Sequence, residues 1–315
     1  MEAMRHRNYK IQPLLKDVTE IKDRVDGLFS FVMTCYTEPV EQIDAAINSI
    51  LLTEDVDIEL IVCFDRLGSD EFKFISEKYQ NMPNIQVYEH DNVGSSANKN
   101  FGMLKTKGEY IACVAGDMIV NVGAVDMFVT EFNKDDEIAV VYTGYEFIPE
   151  TNRQLAPYGS FQTDKIRIQA QNAIDASMPQ RYKYAIMFDD AFHSLGDWDW
   201  AMTHILHYEH VVKHHKHMLA YKHSIPPETG LSSHSHRNWT EIINCLCEKH
   251  SLKPYSERVC IFDNGVKHHG ERLAKMTGWD INENIIHKPY NYKKCLILGC
   301  YRQNWELYFN AIQQS

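Results

Sequence analysis

Between residues 28 and 142 the chain alternates short, dense apolar blocks with stretches whose apolar residues recur at helical spacing. Leu28 to Cys35 (LFSFVMTC) reads as a buried strand, followed by a turn at Tyr36-Thr37-Glu38-Pro39. From Val40 to Leu52 the apolar positions are Val40, Ile43, Ala46, Ile47, Ile50 and Leu51, one face of a helix. Ile58 to Phe64 (IELIVCF) is almost wholly apolar, as expected for a parallel strand covered on both faces. A helix over Glu71–Tyr79, a strand over Ile85–Tyr88, a short helix and a strand over Tyr110–Val114 continue the alternation. Such a repeat of strand and helix predicts an α/β fold: a Rossmann-like, mixed but mostly parallel sheet flanked by helices.

Beyond this core the pattern predicts a helix over Val122–Phe132 and strands over Ile138–Tyr142 and Lys183–Phe188, with residues 149–180 irregular. Asp189–Leu195 and Asp197–His217 read as mostly helical. Ser224 to Asn238 (SIPPETGLSSHSHRN) is too rich in proline, glycine and serine for regular structure, and a loop of that length is usually functional or disordered. Trp239–His250 reads as a helix, Val259–Phe262 as a short strand, and the chain is expected to close on a further helix. The polar start, with a helix at Leu14–Val25, reads as a surface extension. The expected division is an extension at 1–27, a main domain at 28–240 with halves at 28–128 and 129–240, and a mainly helical extension at 241–315.

Composition narrows the function classes. A chain of 315 residues with a 44% hydrophobic fraction can fill a sizeable core. Its net charge of −11 argues against broad binding to nucleic acid or anionic membrane, which need a basic surface. Of the eight cysteines, several lie inside apolar runs (Cys63 in LIVCF, Cys113 in IACV), where a thiol acts as a small hydrophobe. Reduced thiols and a cytoplasmic location are therefore expected. No apolar run approaches the roughly 18 residues of a membrane span, and MEAMRHRNYK lacks the apolar core of a signal peptide.

The candidate chemistry lies at the carboxyl ends of the strands, where open α/β sheets bind ligands. It comprises Thr34 to Thr37, with Thr34 and Tyr36 foremost, then Asp65, then Asn92 to Gly102, then Gly116 and Asp117. A carboxylate at Asp65 can accept an N–H of a nucleobase. Gly94 permits close backbone approach, and Lys99 offers a point charge to a phosphate. An oxygen ligand at Asp117 suits Mg²⁺ or Mn²⁺ bridging phosphate oxygens. Taken singly, Asp65 reads as a turn residue or cap and the glycines as ordinary loop residues; their order and spacing together carry the inference.

In that order the residues resemble the nucleotide-binding half of family-2-like glycosyltransferases of the GT-A fold. Thr34-Cys35-Tyr36-Thr37 stands at the Pro-x-Tyr-Asn turn, and Asp65-Arg66-Leu67-Gly68-Ser69 resembles the Asp-Asp-Gly-Ser segment with an insertion. Asn92, Gly94, Lys99, Asn100 and Gly102 match the Asn-x-Gly…Ala-Arg-Asn-x-Gly loop, with lysine for arginine; Gly108, Tyr110 and Ile111 match the Gly-x-Tyr-Ile strand. The Asp-x-Asp motif is reduced to Ala115-Gly116-Asp117, so one carboxylate is missing. The resemblance implies a nucleotide-diphosphate sugar donor, an acceptor hydroxyl of unknown identity, Mn²⁺ or Mg²⁺ at Asp117, and inverting transfer. It implies a base in Gly196-Asp197-Trp198-Asp199-Trp200, which stands where the family has a Glu-Asp pair: Asp197 first, Asp199 second. Trp198 and Trp200 are candidates for stacking on a sugar or for core packing. A further metal-ligating histidine is implied among His223, His234 and His236, with Arg237 near the diphosphate. His204, His207, His210, His214 and His217 recur at helical spacing and read as a polar helix face. The missing carboxylates at 115 and 196 leave open a sugar-nucleotide-binding protein without transfer. A nucleotidyltransferase ranks last, since a basic glycine-rich loop after the first strand is absent.

Overall fold

A computed structural model describes residues 10–148, 162–165, 167–170, 172, 174–192, 194–224, 239–252, 260–262, 280–282 and 285–287. The chain forms two compact units, Met1–Asn238 and Trp239–Ser315.

The first unit is built on a seven-stranded sheet. Its strands are β1 (Val25–Cys35), β2 (Ile58–Phe64), β3 (Ile85–Glu89), β4 (Gly108–Ala115), β6 (Ile138–Tyr142), β8 (Gln180–Arg181) and β9 (Val211–His214), in the order β3-β2-β1-β4-β8-β6-β9. From β3 to β4 all pairing is parallel; β8 pairs antiparallel with both β4 and β6, and β6 is parallel to β9. The strand order reverses between β1 and β4, which creates the crevice where a ligand fits. Helices α2 (Val40–Leu51), α3 (Asp70–Tyr79), α4 (Ser95–Met103) and α5 (Ala124–Phe132) follow the pattern expected from the sequence closely. The core beneath the crevice is aromatic: Phe29 lies 4.9 Å from Phe31 and 6.2 Å from Tyr110, and Tyr110 stacks on Phe132 at 4.8 Å.

A second sheet, absent from the sequence-based expectation, takes the order β5-β10-β7 from β5 (Met118–Val120), β7 (Tyr145–Ile148) and β10 (Tyr221–Ser224). β5 starts directly after Asp117, so the chain leaves one sheet and enters the other at Gly116-Asp117.

Several expectations are corrected. The helix expected at Leu14–Val25 is only α1 (Leu15–Val18), because β1 already begins at Val25. Leu15 is fully buried and donates its N–H to Ala185 O (2.7 Å), while Met187 N donates to Pro13 O (3.1 Å). The strand expected at Lys183–Phe188 is instead a 3₁₀ turn (Tyr182–Tyr184) and a single bridge, Leu14 to Ile186. The helix expected at Asp189–Leu195 gives way to a turn, since Asp189 Oδ1 accepts the Ala191 N–H (2.9 Å). After a four-residue helix α6 (Arg167–Ala170), helix α7 runs only over Gly196–Met202 and widens into a π turn at Thr203–His207. Thr203 Oγ1 bonds back to Asp199 O (2.9 Å), which bends the helix. The histidines therefore share no helix face: His204 is buried in the π turn, His214 belongs to β9, and His210 lies between them.

In the second unit the described residues comprise α8 (Trp239–Lys249) and a three-stranded antiparallel sheet of β11 (Cys260–Phe262), β12 (Asp280–Asn282) and β13 (Ile285–His287). Of these strands only the first was expected. The closing helix lies outside the described residues. No described helix is long and apolar enough to cross a membrane. Cys35, Cys63, Cys113, Cys245 and Cys247 are free thiols, all but Cys245 buried.

One packing contact seats α4 on the sheet. A Cβ at Gly102 would lie 2.2 Å from Val32 Cγ1 and 3.2 Å from Cys63 Sγ. Gly102→Ala should destabilise the fold by about 1–3 kcal/mol through overpacking. Val32→Ala in the same chain removes the clashing methyl, so the double variant should lose much less than the sum. Urea denaturation measures both; strictly additive losses would disprove the contact's role.

Candidate functional site

The strand ends converge at the crevice by backbone bonding. Thr34, at the end of β1, is paired with Cys63 on one side and Ala115 on the other. Gly116 N donates to Thr34 O (3.0 Å), and Asp65 N donates to Cys35 O (2.8 Å). Thr34 is partly buried and Tyr36 is exposed at the rim. Gly116 is glycine for lack of room: a Cβ there would sit 2.9 Å from Cys35 Sγ.

Asp65 has a role the sequence did not reveal. It is buried, and its two oxygens accept the backbone N–H groups of Val93 (2.6 Å) and Gly94 (2.8 Å). It therefore clasps the loop from Asn92, which is exposed, to the start of α4. Gly94 has φ +90°, a conformation that side chains disfavour, so the glycine is needed at this bend. Asn98 fastens the next turn: its Nδ2 donates to Cys63 O (3.0 Å), and its Oδ1 meets His90 Nε2 (2.7 Å).

α4 links this loop to the second half of the unit. Asn100, expected at the nucleotide, instead exchanges hydrogen bonds with the backbone of Phe188: Nδ2 to Phe188 O (2.8 Å) and Phe188 N to Oδ1 (2.7 Å). Its amide is thus committed to holding 188 in place. Lys99 Nζ donates to Ser95 Oγ (2.6 Å) and lies 5.5 Å from the Phe188 ring. Ser96 Oγ donates to Phe192 O (3.4 Å), and a Cβ at Gly196 would come within 3.2 Å of that same Oγ. Here the helix that follows the Asn92–Gly94 loop meets the helix carrying Asp197.

Asp197 stands in the first turn of α7, entered through Leu195 in a left-handed conformation (φ +60°). It is partly buried, and Asn172 Nδ2 donates to its Oδ2 (2.5 Å). Burial foremost, and then the charge of Asp175, push its carboxyl up to about 6; the Trp198 N–H, Lys99 and Asn172 oppose the rise. A carboxylate with that affinity suits proton abstraction near neutral pH. Asp199, the alternative base, is 1% exposed, on the side of α7 turned away from solvent. Trp198 and Trp200 are core residues. Trp198 Nε1 donates to Ile168 O (2.5 Å), Trp200 Nε1 to Gln180 Oε1 (3.3 Å), and Trp200 stacks on Phe188 at 5.9 Å.

Asp117, partly buried, sits where β4 passes into β5. The antiparallel register pairs His223 with Met118, so that histidine lies on the strand beside Asp117's neighbour. His234, His236 and Arg237 lie outside the described residues. Sequence reasoning overlooked Glu38, which bonds the Tyr36 N–H (2.6 Å) through Oε2. Burial pushes the Glu38 carboxyl up, and the nearby charge of Asp117 adds to the push. Among the described residues no three His, Cys, Asp or Glu side chains form a closed metal cage. Asp117, an oxygen donor at the strand end, is the residue of this crevice whose chemistry suits a hard divalent cation.

A family model described as "Glycosyl transferase family 2" matches residues 30–195, just over half of the chain. Chondroitin synthase of Pasteurella multocida is 30% identical over 118 residues, 38% of this chain and 11% of that protein. Chondroitin synthase of Escherichia coli is 27% identical over 126 residues, 40% of this chain and 17% of its own length. The chain therefore corresponds to a small part of these relatives. Among solved structures, S. aureus TarS in complex with UDP-GlcNAc superposes with a TM-score of 0.59 at 17% identity, covering 78% of this chain and 70% of that one. The mannosyltransferase PcManGT from Pyrobaculum calidifontis, in complex with GDP-Man and Mn²⁺, gives 0.53 at 12% identity, covering 79% and 68%. These likenesses establish the fold, and the family match runs from within β1 to the turn before α7. The chain belongs to glycosyl transferase family 2, with the mostly parallel sheet of the GT-A fold.

Proposed function

We propose that this protein moves a sugar from a nucleotide-diphosphate donor to an acceptor hydroxyl, with inversion at the sugar carbon. One observation carries the reading: α4 joins the Asn92–Gly94 loop, shaped by Asp65, to the first turn of α7, where burial and Asp175 raise the Asp197 carboxyl to about 6. Thr34, Tyr36, Asn92, Gly94 and Gly116 would border the nucleotide, and Lys99 would meet phosphate charge. Arg237 remains a further candidate for the diphosphate. Asp117, with His223, His234 or His236, would hold Mn²⁺ or Mg²⁺. When bound, that metal neutralises charge developing on the departing diphosphate. Asp197 would take the proton of the acceptor hydroxyl as its oxygen attacks the sugar from the face opposite the nucleotide. The structures solved with UDP-GlcNAc and with GDP-Man and Mn²⁺ are consistent with this donor class.

The test is a thermal-shift panel of nucleotide sugars with and without Mn²⁺, followed by product analysis with the stabilising donor. A donor present at about 100 times its Kd should stabilise the fold by about 2.7 kcal/mol. No stabilisation by any nucleotide sugar would reject the reading. Ala115 and Gly196 favour a second reading, a binder of the same ligands without transfer. Slow donor hydrolysis that disappears in Asp197→Asn would eliminate it.

A further inference from the structure

Asp197 is aimed by a turn that lies outside its own helix. We propose that Asn172, at the head of the turn at 174–177, positions the base by orienting the Asp197 carboxylate, with Asp175 carried on that same turn. The proposal rests on Asp197 being the base, and it adds residues that no sequence motif marks.

The orientation of Asn172 follows from its two bonds. Its Oδ1 accepts the N–H of Ile174 (3.3 Å), so the amide's Nδ2 edge is turned toward Asp197 Oδ2 (2.5 Å). A donor fixed in this way holds the carboxylate in one rotamer and favours its anion. The turn itself is held at several points. Asp175 Oδ1 accepts the Ser177 N–H (2.8 Å), and Asp175 O accepts the Met178 N–H (3.1 Å). Tyr221 of β10 donates its hydroxyl to Ser177 O (2.9 Å), and Val141 of β6 donates its N–H to Pro179 O (3.3 Å). Asn172 and Asp175 are thereby carried on a platform tied to both sheets.

The groups facing Asp197 come from separate elements: Asp175 from the turn, Lys99 from α4, the Trp198 N–H from α7, and Asn172. Burial foremost, and then the charges of Asp175 and Asp197, push the hydroxyl of Tyr145 on β7 up. The arrangement sets two influences against each other. Asn172, Lys99 and the Trp198 N–H favour the anion that accepts the acceptor's proton; burial and Asp175 keep its proton affinity high enough to be useful.

The experiment uses the full chain with ¹³Cγ-labelled aspartate, followed by NMR across pH, beside the pH profile of kcat/KM with whichever nucleotide sugar the thermal-shift panel identifies. A resonance titrating near pH 6 should vanish in Asp197→Asn. In Asp175→Asn its midpoint should fall by about one unit or more, because a like charge is gone. In Asn172→Ala it should rise, because the anion loses a donor; Asn172→Ser, which restores a shorter donor, should recover part of the shift. The acidic limb of kcat/KM should move with each midpoint, which a merely structural role would not produce. Midpoints unchanged in both Asp175→Asn and Asn172→Ala, in chains with native circular dichroism, would overturn the proposal. Transfer with unmoved limbs rejects this platform alone. The expected titrations without turnover of any nucleotide sugar reject the function and leave the pairing intact.

Discussion

Asp197→Asn should lower kcat by about 10³-fold while leaving donor affinity unchanged. Asparagine keeps the size and the hydrogen-bonding reach of the side chain, so the Asn172 contact and the first turn of α7 can survive. What disappears is the capacity to take a proton from the acceptor hydroxyl. An interaction made only in the transition state lowers kcat and kcat/KM together. Isothermal titration with the donor separates this from a folding defect, since the proposed nucleotide site lies at the strand ends and α4. In the wild-type chain the same base must be ionised to work. Activity should therefore fall as pH drops through about 6, the value to which burial and Asp175 raise its carboxyl. The variant's residual activity should lose that limb. An Asp197→Asn enzyme with full turnover, or with the limb retained, would move the base elsewhere.

Asp117→Asn should reduce transfer by about 10²-fold or more and remove the Mn²⁺ dependence of donor binding. The amide is neutral and a weak ligand for hard cations. With Ala115 in place of the family's first aspartate, no neighbouring residue of the motif can substitute. The informative readout is the melting temperature with donor alone and with donor plus Mn²⁺. Wild type should show an increment from the metal; the variant should show only the part that nucleotide contacts give. An undiminished increment would place the cation away from Asp117.

The half of the molecule that sequence rendered well is the half in which strand and helix alternate along the chain. From β1 to α4 each strand is followed by a helix, so apolar periodicity alone outlines the elements. β5 escaped because three residues, Met118 to Val120, have no periodicity to show. Residues 182–188 escaped for a different reason. Their run has strand composition, but Asn100 and the segment around Leu14 take their backbone bonds, both distant in sequence. The short α7 and its π turn likewise follow from Thr203 bonding backward and from the packing of His204 against Gln180 (3.2 Å), a partner 24 residues away.

Site residues divide along the same line. The positions of Asp65, Gly94, Lys99, Asp117 and Asp197 were marked by motif spacing, whereas roles were not. Asp65 shapes a loop, Asn100 holds a remote backbone segment, and both tryptophans are core. Glu38, Asn172 and Asp175 had no signal at all. Their significance comes from what the fold puts opposite them.

The clasp at Asp65 has a bearing on how the donor is captured. Fixing a backbone residue costs about 1–2 kcal/mol of conformational entropy. Because Asp65 already ties down Val93 and Gly94, that cost falls on folding and not on ligand capture. Any ligand that the proposed site takes would meet a finished edge at this rim, with no waiting time for these residues to find their shape.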